Sequence, residues 1–186
     1  MPLVGIIAKK RDIQAIKKEL AEYEVEIIHL NKEALKNMKN IIFKDLIILE
    51  DINLQEAEYS YMEEIISKAE YLILNSDIDF GVLKYIKLKK PIKTITFGFN
   101  PKSTITISSV KEDKILVCLQ RNIENGDKEI IETQEKEIEI TKDSNKKIYN
   151  KLVVFILKAL KKEQKMKLIL SCKIFQARLK AIFYQI

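Results

Sequence analysis

The residues of this chain best suited to chemistry stand at the ends of apolar runs. Glu50 and Asp51 close the run that begins at Asp45. Adjacent carboxylates after a strand are hard oxygen donors placed where open parallel sheets bind ligands, and they could hold a hydrated Mg2+. Acids in that position are also ordinary solvated turn residues. Asn75, Ser76 and Asp77 end the run YLILN in the same way. Such a turn could bond a base or a ribose, or it could cap a helix starting near Ile78. His29, the only histidine, lies inside the apolar run EVEIIHL with no Ser or Cys close in sequence. It reads as a structural residue rather than a general base. Cys118 and Cys172 sit among apolar residues without metal-type spacing, which suits reduced, buried thiols in an intracellular protein.

The elements that must position these residues alternate along the first half. LVGIIA (3–8) reads as a buried strand, after which Ile13, Ile16, Leu20 and Tyr23 recur on one helical face. EVEIIHL (24–30) follows as a strand, residues 32–40 as a short helix and DLIILE (45–50) as a third strand. Met62, Ile65, Ile66 and Ala69 mark another amphipathic helix, YLILN (71–75) a fourth strand, and KTITFGF (93–99) a fifth, after a helical segment stopped by Pro91. Strands alternating with helices need crossovers, so this sheet is expected to be mostly parallel with both faces covered. Gly5 lies within the first strand run and no glycine follows to complete a dinucleotide-binding loop.

After Pro101 the pattern changes to strands without helices: TITISSV (104–110), ILVCLQR (115–121) and the stretch from EIIE to EIEIT (129–141). Charged turns at KEDK and NGDK break them, which predicts antiparallel hairpins. A strongly apolar helix follows, with Ile148, Leu152, Phe155, Ile156 and Ala159 on one face and Val153, Val154, Leu157 and Leu160 widening it. Apolar on so many sides, it should be buried.

The chain has 186 residues, 47% of them hydrophobic, and a formal charge of +6. That size and composition suit one packed domain. The charge is not spread evenly: from Lys158 onward eight basic residues face the single acid Glu163, which leaves the rest at −1. A nearly neutral body with scattered tyrosines argues against nucleic acid. No apolar run approaches the roughly 18 residues of a membrane span, and the start is too short for a signal peptide. The expectation is a soluble, cytoplasmic protein. In residues 166–186, Leu168, Cys172, Phe175, Leu179 and Ile182 form a narrow seam, with Lys167, Lys173, Arg178 and Lys180 largely off it. A basic amphipathic helix of this kind could make peripheral contact with an anionic membrane, fit a partner's groove, or pack on its own domain.

Three segments in order resemble the later part of the central domain of Mur ligases, ATP-dependent enzymes that add amino acids to the peptidoglycan precursor. YLILNSDID is similar to the family's strand ending in Asn-x-Asp, with Asn75 and Asp77 at the matching positions. TITFGFNPKSTITISSV is similar to its Thr-Phe-Gly strand, with Gly98 keeping the glycine. NKKIYNKLVVFILKAL is similar to its Gly-x-His-Asn-x-x-Asn helix start, with Asn150 on the last Asn. The resemblance spans roughly residues 41 to 160. It implies that Asn75 lies beside an adenine, and it marks Asn75, Asp77 and Asn150 as ligand-binding candidates; the metal candidates Glu50 and Asp51, with Asn53, stand roughly where the family has Thr-Asn and Asp-His near its metal and substrate sites, and supply no histidine.

The departures concern the chemistry. A ligase of this family needs a Gly-rich loop ending Gly-Lys-Ser/Thr, whose backbone N–H groups and lysine neutralise phosphates; these 186 residues contain none. Lys146 and Lys147 replace the His-Asn of the third motif. The length leaves no room for the family's remaining domains.

The sequence therefore predicts an α/β chain: a mostly parallel Rossmann-like sheet with flanking helices over residues 1–162, followed within it by antiparallel hairpins, then a basic amphipathic helix at 163–186. Its expected role is that of a non-catalytic, Mur-ligase-like binding or scaffold module for a protein partner or small molecule. The alternatives are a nucleotide or small-molecule binding domain and an adaptor that docks through its C-terminal helix. No cofactor is expected; adenine nucleotide with Mg2+ is the one these residues could take.

Overall fold

A computed structural model describes residues 1–79, 81–88, 90–140 and 148–161 of the chain. Strand and helix alternate first: β1 (Leu3–Ile7), α1 (Lys10–Glu19), β2 (Glu26–His29), α2 (Lys32–Met38), β3 (Asp45–Ile48), α3 (Glu56–Lys68) and β4 (Tyr71–Asn75). A 3-10 turn at Gly81–Lys84 stands where a helical segment was expected before Pro91. Strands then predominate: β5 (Lys93–Gly98), β6 (Ile105–Val110), β7 (Lys114–Leu119), the short β8 (Ile123–Glu124) and β9 (Ile130–Ile131), and β10 (Gln134–Glu139). The last described helix is α4 (Ile148–Leu160). The basic helix expected at 163–186 lies outside the described residues.

Eight strands form one sheet in the order β10-β7-β6-β5-β4-β3-β1-β2, and β8 and β9 pair as a separate ribbon. From β2 to β6 all neighbours are parallel, whereas β7 runs antiparallel to both β6 and β10. The chain thus has the α/β architecture that the alternating pattern predicts. One step differs from a run of hairpins. β6 lies parallel to β5 and pairs only through Phe97 with Ile105 and Gly98 with Thr106. It begins beside the end of β5 and continues in the same direction, so the short connection 99–104 needs no returning helix.

Both faces of the sheet are covered, and side-chain alternation along β3 shows how. Ile47 and Leu49 join the core under α1 and α4, while Leu46 and Ile48 join the core under α2 and α3. The continuous apolar runs of the central strands follow from this double burial. On α1, Ile13, Ile16 and Leu20 are buried as their spacing predicts. Helix starts are held locally: Asn31 accepts from the Ala34 N–H at 2.9 Å, and Glu58 accepts from the Gln55 N–H at 2.7 Å. Gly5 is closely packed: a Cβ there would meet Leu30 Cδ1 at 2.8 Å, so a side chain would have to shift to admit one. Cys118 is half-buried in β7.

At the amino end of β3, Asp45 (0% exposed) lies 3.8 Å from Lys161 (5% exposed), just beyond α4. Among the described residues neither charged group has a hydrogen-bond partner. Burial pushes Asp45 up to about 6 against the pull of Lys161 and Lys44, and burial pushes Lys161 down to about 8 against the pull of Asp45. No helix among the described residues is long and apolar enough to cross a membrane.

Candidate functional site

The carboxyl ends of the parallel strands form one edge, and all five sequence-derived candidates lie on or near it. β1 sits between β2 and β3, and the helices that follow β1 and β3 pack on opposite faces. That makes the gap between β1 and β3 the point where an open sheet forms its crevice. Lys9, at the amino end of α1, reaches Glu50 at 3.7 Å across it. Both side chains are solvated, so the pair contributes little to stability. Asp51 accepts from the Ile52 N–H at 3.0 Å. Glu50 and Asp51 thus face a lysine and a backbone amide, and among the described residues no cluster of three or more His, Cys, Asp or Glu is placed to hold a metal.

Asn75 and Asp77 are built into the edge more deeply. Asn75 is 1% exposed; its amide donates to the Leu49 carbonyl at 3.2 Å, and its side-chain oxygen accepts from the Asp77 N–H at 3.1 Å. It ties the end of β4 to the end of β3. The bond from Asp77 closes a local turn rather than the helix start that a cap before Ile78 would make. The Asp77 carboxylate then accepts from the Phe99 N–H at 2.6 Å, the Asn100 N–H at 2.9 Å and the Tyr149 hydroxyl at 3.1 Å. Two segments distant in sequence, 99–100 and the start of α4, converge on one side chain. Ser76 adds a bond to the Phe97 carbonyl at 3.1 Å and one shared with Ser103 at 2.5 Å.

Gly98 makes this convergence sterically feasible. Its φ of +149° is unfavourable for other residues, and a Cβ would meet the Asp77 carboxyl carbon at 2.7 Å. Tyr149 is pushed up to about 12 by burial and by the Asp77 carboxylate, so it stays protonated and donates throughout the neutral range. Phe99 packs edge-on against Tyr149, with ring centroids 6.0 Å apart, and remains 46% exposed.

Asn150 belongs to a different contact. It is buried and donates to Asp12 at 3.0 Å, joining the amino ends of α4 and α1. The structure therefore brings Asn75 and Asp77 together and sets Asn150 on the α1 side of Tyr149. Sequence reasoning passed over Tyr149, Phe99 and Ser103, which complete the cluster. His29 is half-buried in the edge strand β2.

No protein-family model matches the chain, and no curated protein matches it in sequence. Among solved structures, a likeness is found to the apo-structure of D-lactate dehydrogenase from Escherichia coli, at 14% identity and a TM-score of 0.30. It covers 52% of this chain and 30% of that chain, so the matched part spans less than a third of the dehydrogenase.

Proposed function

We propose that this chain is a non-catalytic binding module on a Mur-ligase-like α/β frame, engaging its partner through its surface rather than through chemistry at the sheet edge. The observation that carries this reading is the commitment of Asn75 and Asp77 to internal bonds. In the resemblance Asn75 would lie beside adenine; here its amide donates to the Leu49 carbonyl and accepts from the Asp77 N–H, and Asp77 collects three donors from its own chain. Asn75 is 1% exposed, so a base could reach its second donor hydrogen only by displacing the chain around it, and leaving the buried amide unpaired costs about 1–3 kcal/mol. The absence of a Gly-Lys-Ser/Thr loop from the sequence agrees with it.

The second reading is a nucleotide or small-molecule site, favoured by the half-exposed Phe99 ring beside Tyr149 on the same edge. Thermal unfolding with ATP, ADP or UDP-linked sugars and Mg2+ separates the two. A ligand at about 100 times its dissociation constant stabilises by about 2.7 kcal/mol, or roughly 5–10 °C for a domain near this size. The binding-module reading expects no such shift, and a shift of that size would replace it with the second.

A further inference from the structure

Between α1 and the edge strand β10, α4 presents Lys151, Val154, Phe155, Lys158 and Ala159, a stripe at helical spacing. This stripe is the floor of a groove of about 620 Å3. Tyr23, after the end of α1, stands on one side, and Ile131 of β9 and Ile138 of β10 stand on the other. Phe155, Ile131 and Ile138 are only half-buried, each packed against the core from one side. Among the described residues, α4 is thus covered by the sheet and by α1, while its third side, with Val154, Phe155 and Ala159 between Lys151 and Lys158, lines the groove.

We infer that this groove is the seat of the chain's own C-terminal segment, residues 166–186, docked by the seam of Leu168, Cys172, Phe175, Leu179 and Ile182. Three observations select this occupant, none of which depends on what the sheet edge binds. The first is position: the described chain ends at Lys161, immediately after Lys158 and Ala159 at one end of the groove. The second is length. As a helix, 21 residues run about 30 Å against about 20 Å for α4, so the segment can turn back over four intervening residues and lie along the whole floor.

The third is charge. Glu132 and β10 carry four glutamates and one lysine, and Glu137 and Glu139 line the groove. Of the lysines lining the groove, Lys151 pairs with Glu19 at 3.0 Å, Lys158 sits 5.2 Å from the centre of the Tyr23 ring and Lys136 stands on β10, while Glu137 is paired with Lys114 at 2.9 Å. The segment from residue 163 brings five basic residues and one acid, most of them off its apolar seam. An apolar seam flanked by cations fits an apolar floor beside the net-acidic stretch of Glu132 and β10.

The test is amide hydrogen exchange on the full chain at low micromolar concentration, with Phe155→Glu and Phe175→Glu as variants. Docking predicts that amides of 168–182 exchange at least about tenfold more slowly than in an unstructured chain, that this protection does not change with protein concentration, and that both variants remove it. Phe175→Glu lies outside the described fold, so it reports on docking even where Phe155→Glu disturbs α4. In a Cys118→Ser background, Cys172 is the only thiol, and its labelling should be slowed by a similar factor and restored by Phe175→Glu. Unprotected amides with a freely reactive Cys172 would overturn the inference. So would protection that appears only as protein concentration rises, which indicates a second copy, or only with anionic vesicles, which indicates a membrane.

Discussion

The Tyr149 hydroxyl donates to the Asp77 carboxylate at 3.1 Å across 72 residues of sequence, fixing the start of α4 to the loop after β4. The same carboxylate holds the backbone of Phe99 and Asn100. Asp77 is the point where β4, β5 and α4 are locked together.

Replacing Asp77 with Ala should therefore lower stability by about 1–2 kcal/mol, toward the low end for charged hydrogen bonds because the carboxylate is solvent-exposed. Tyr149→Phe removes one of the three bonds and should cost about 0.5–1.5 kcal/mol. Urea unfolding of both variants checks the order: a larger loss in Tyr149→Phe than in Asp77→Ala would contradict it.

Gly98→Ala should destabilise by more than about 1 kcal/mol, since alanine pays for the backbone conformation and also meets the carboxylate. The steric part has a specific partner. In an Asp77→Ala background the same substitution should cost less, and a double-mutant cycle giving zero coupling would show that the backbone conformation alone is responsible.

Asp45 and Lys161 form a buried pair with no hydrogen bond to either charge among the described residues, the arrangement in which desolvation offsets most of the attraction. Lys161→Met alone strands a buried carboxylate and should cost about 3–5 kcal/mol, whereas Asp45→Leu with Lys161→Met should be neutral or more stable by up to about 4 kcal/mol. Chemical denaturation of the single and double variants decides this. A double variant as unstable as the single one would mean that the charges are better accommodated than their surroundings imply.

Proton binding by Asp45 gives that pair a pH signature. Because burial raises the carboxyl from 3.8 to about 6, the folded chain holds this proton more tightly than the unfolded chain. Its contribution to stability is fully present below its ordinary value and is lost as pH rises through about 6. The stability of the native chain relative to Asp45→Asn should fall between pH 4 and 6. A difference that stays flat across that window would place Asp45 in a better-solvated site.

Much of the frame was legible because the central strands are buried on both faces: LVGII, DLII and YLILN are nearly continuous apolar runs, and Ile13, Ile16 and Leu20 keep helical spacing. The parallel step from β5 to β6 was not legible, because nothing in TITISSV distinguishes a strand that turns back from one that continues beside its predecessor. At the site, residue types and the resemblance singled out Asn75 and Asp77, but Asn and Asp bond a ligand or their own backbone with the same atoms. Only the positions of Leu49, Phe99, Asn100 and Tyr149 show where those atoms are engaged. Asp45 looked like an ordinary first residue of a strand and Lys161 like one lysine in a basic run, since burial of a charge leaves no local signature.

The central claim is that Asn75 and Asp77 hold the edge together rather than meet a nucleotide. An amide-resolved NMR titration of the native chain with ATP and Mg2+ tests it directly, following Ser76, Asp77, Phe99, Asn100 and Tyr149. The account predicts that these amides keep their positions up to millimolar nucleotide. Saturable displacement of that group, with the rest of the sheet unmoved, would contradict it and assign the edge to a ligand.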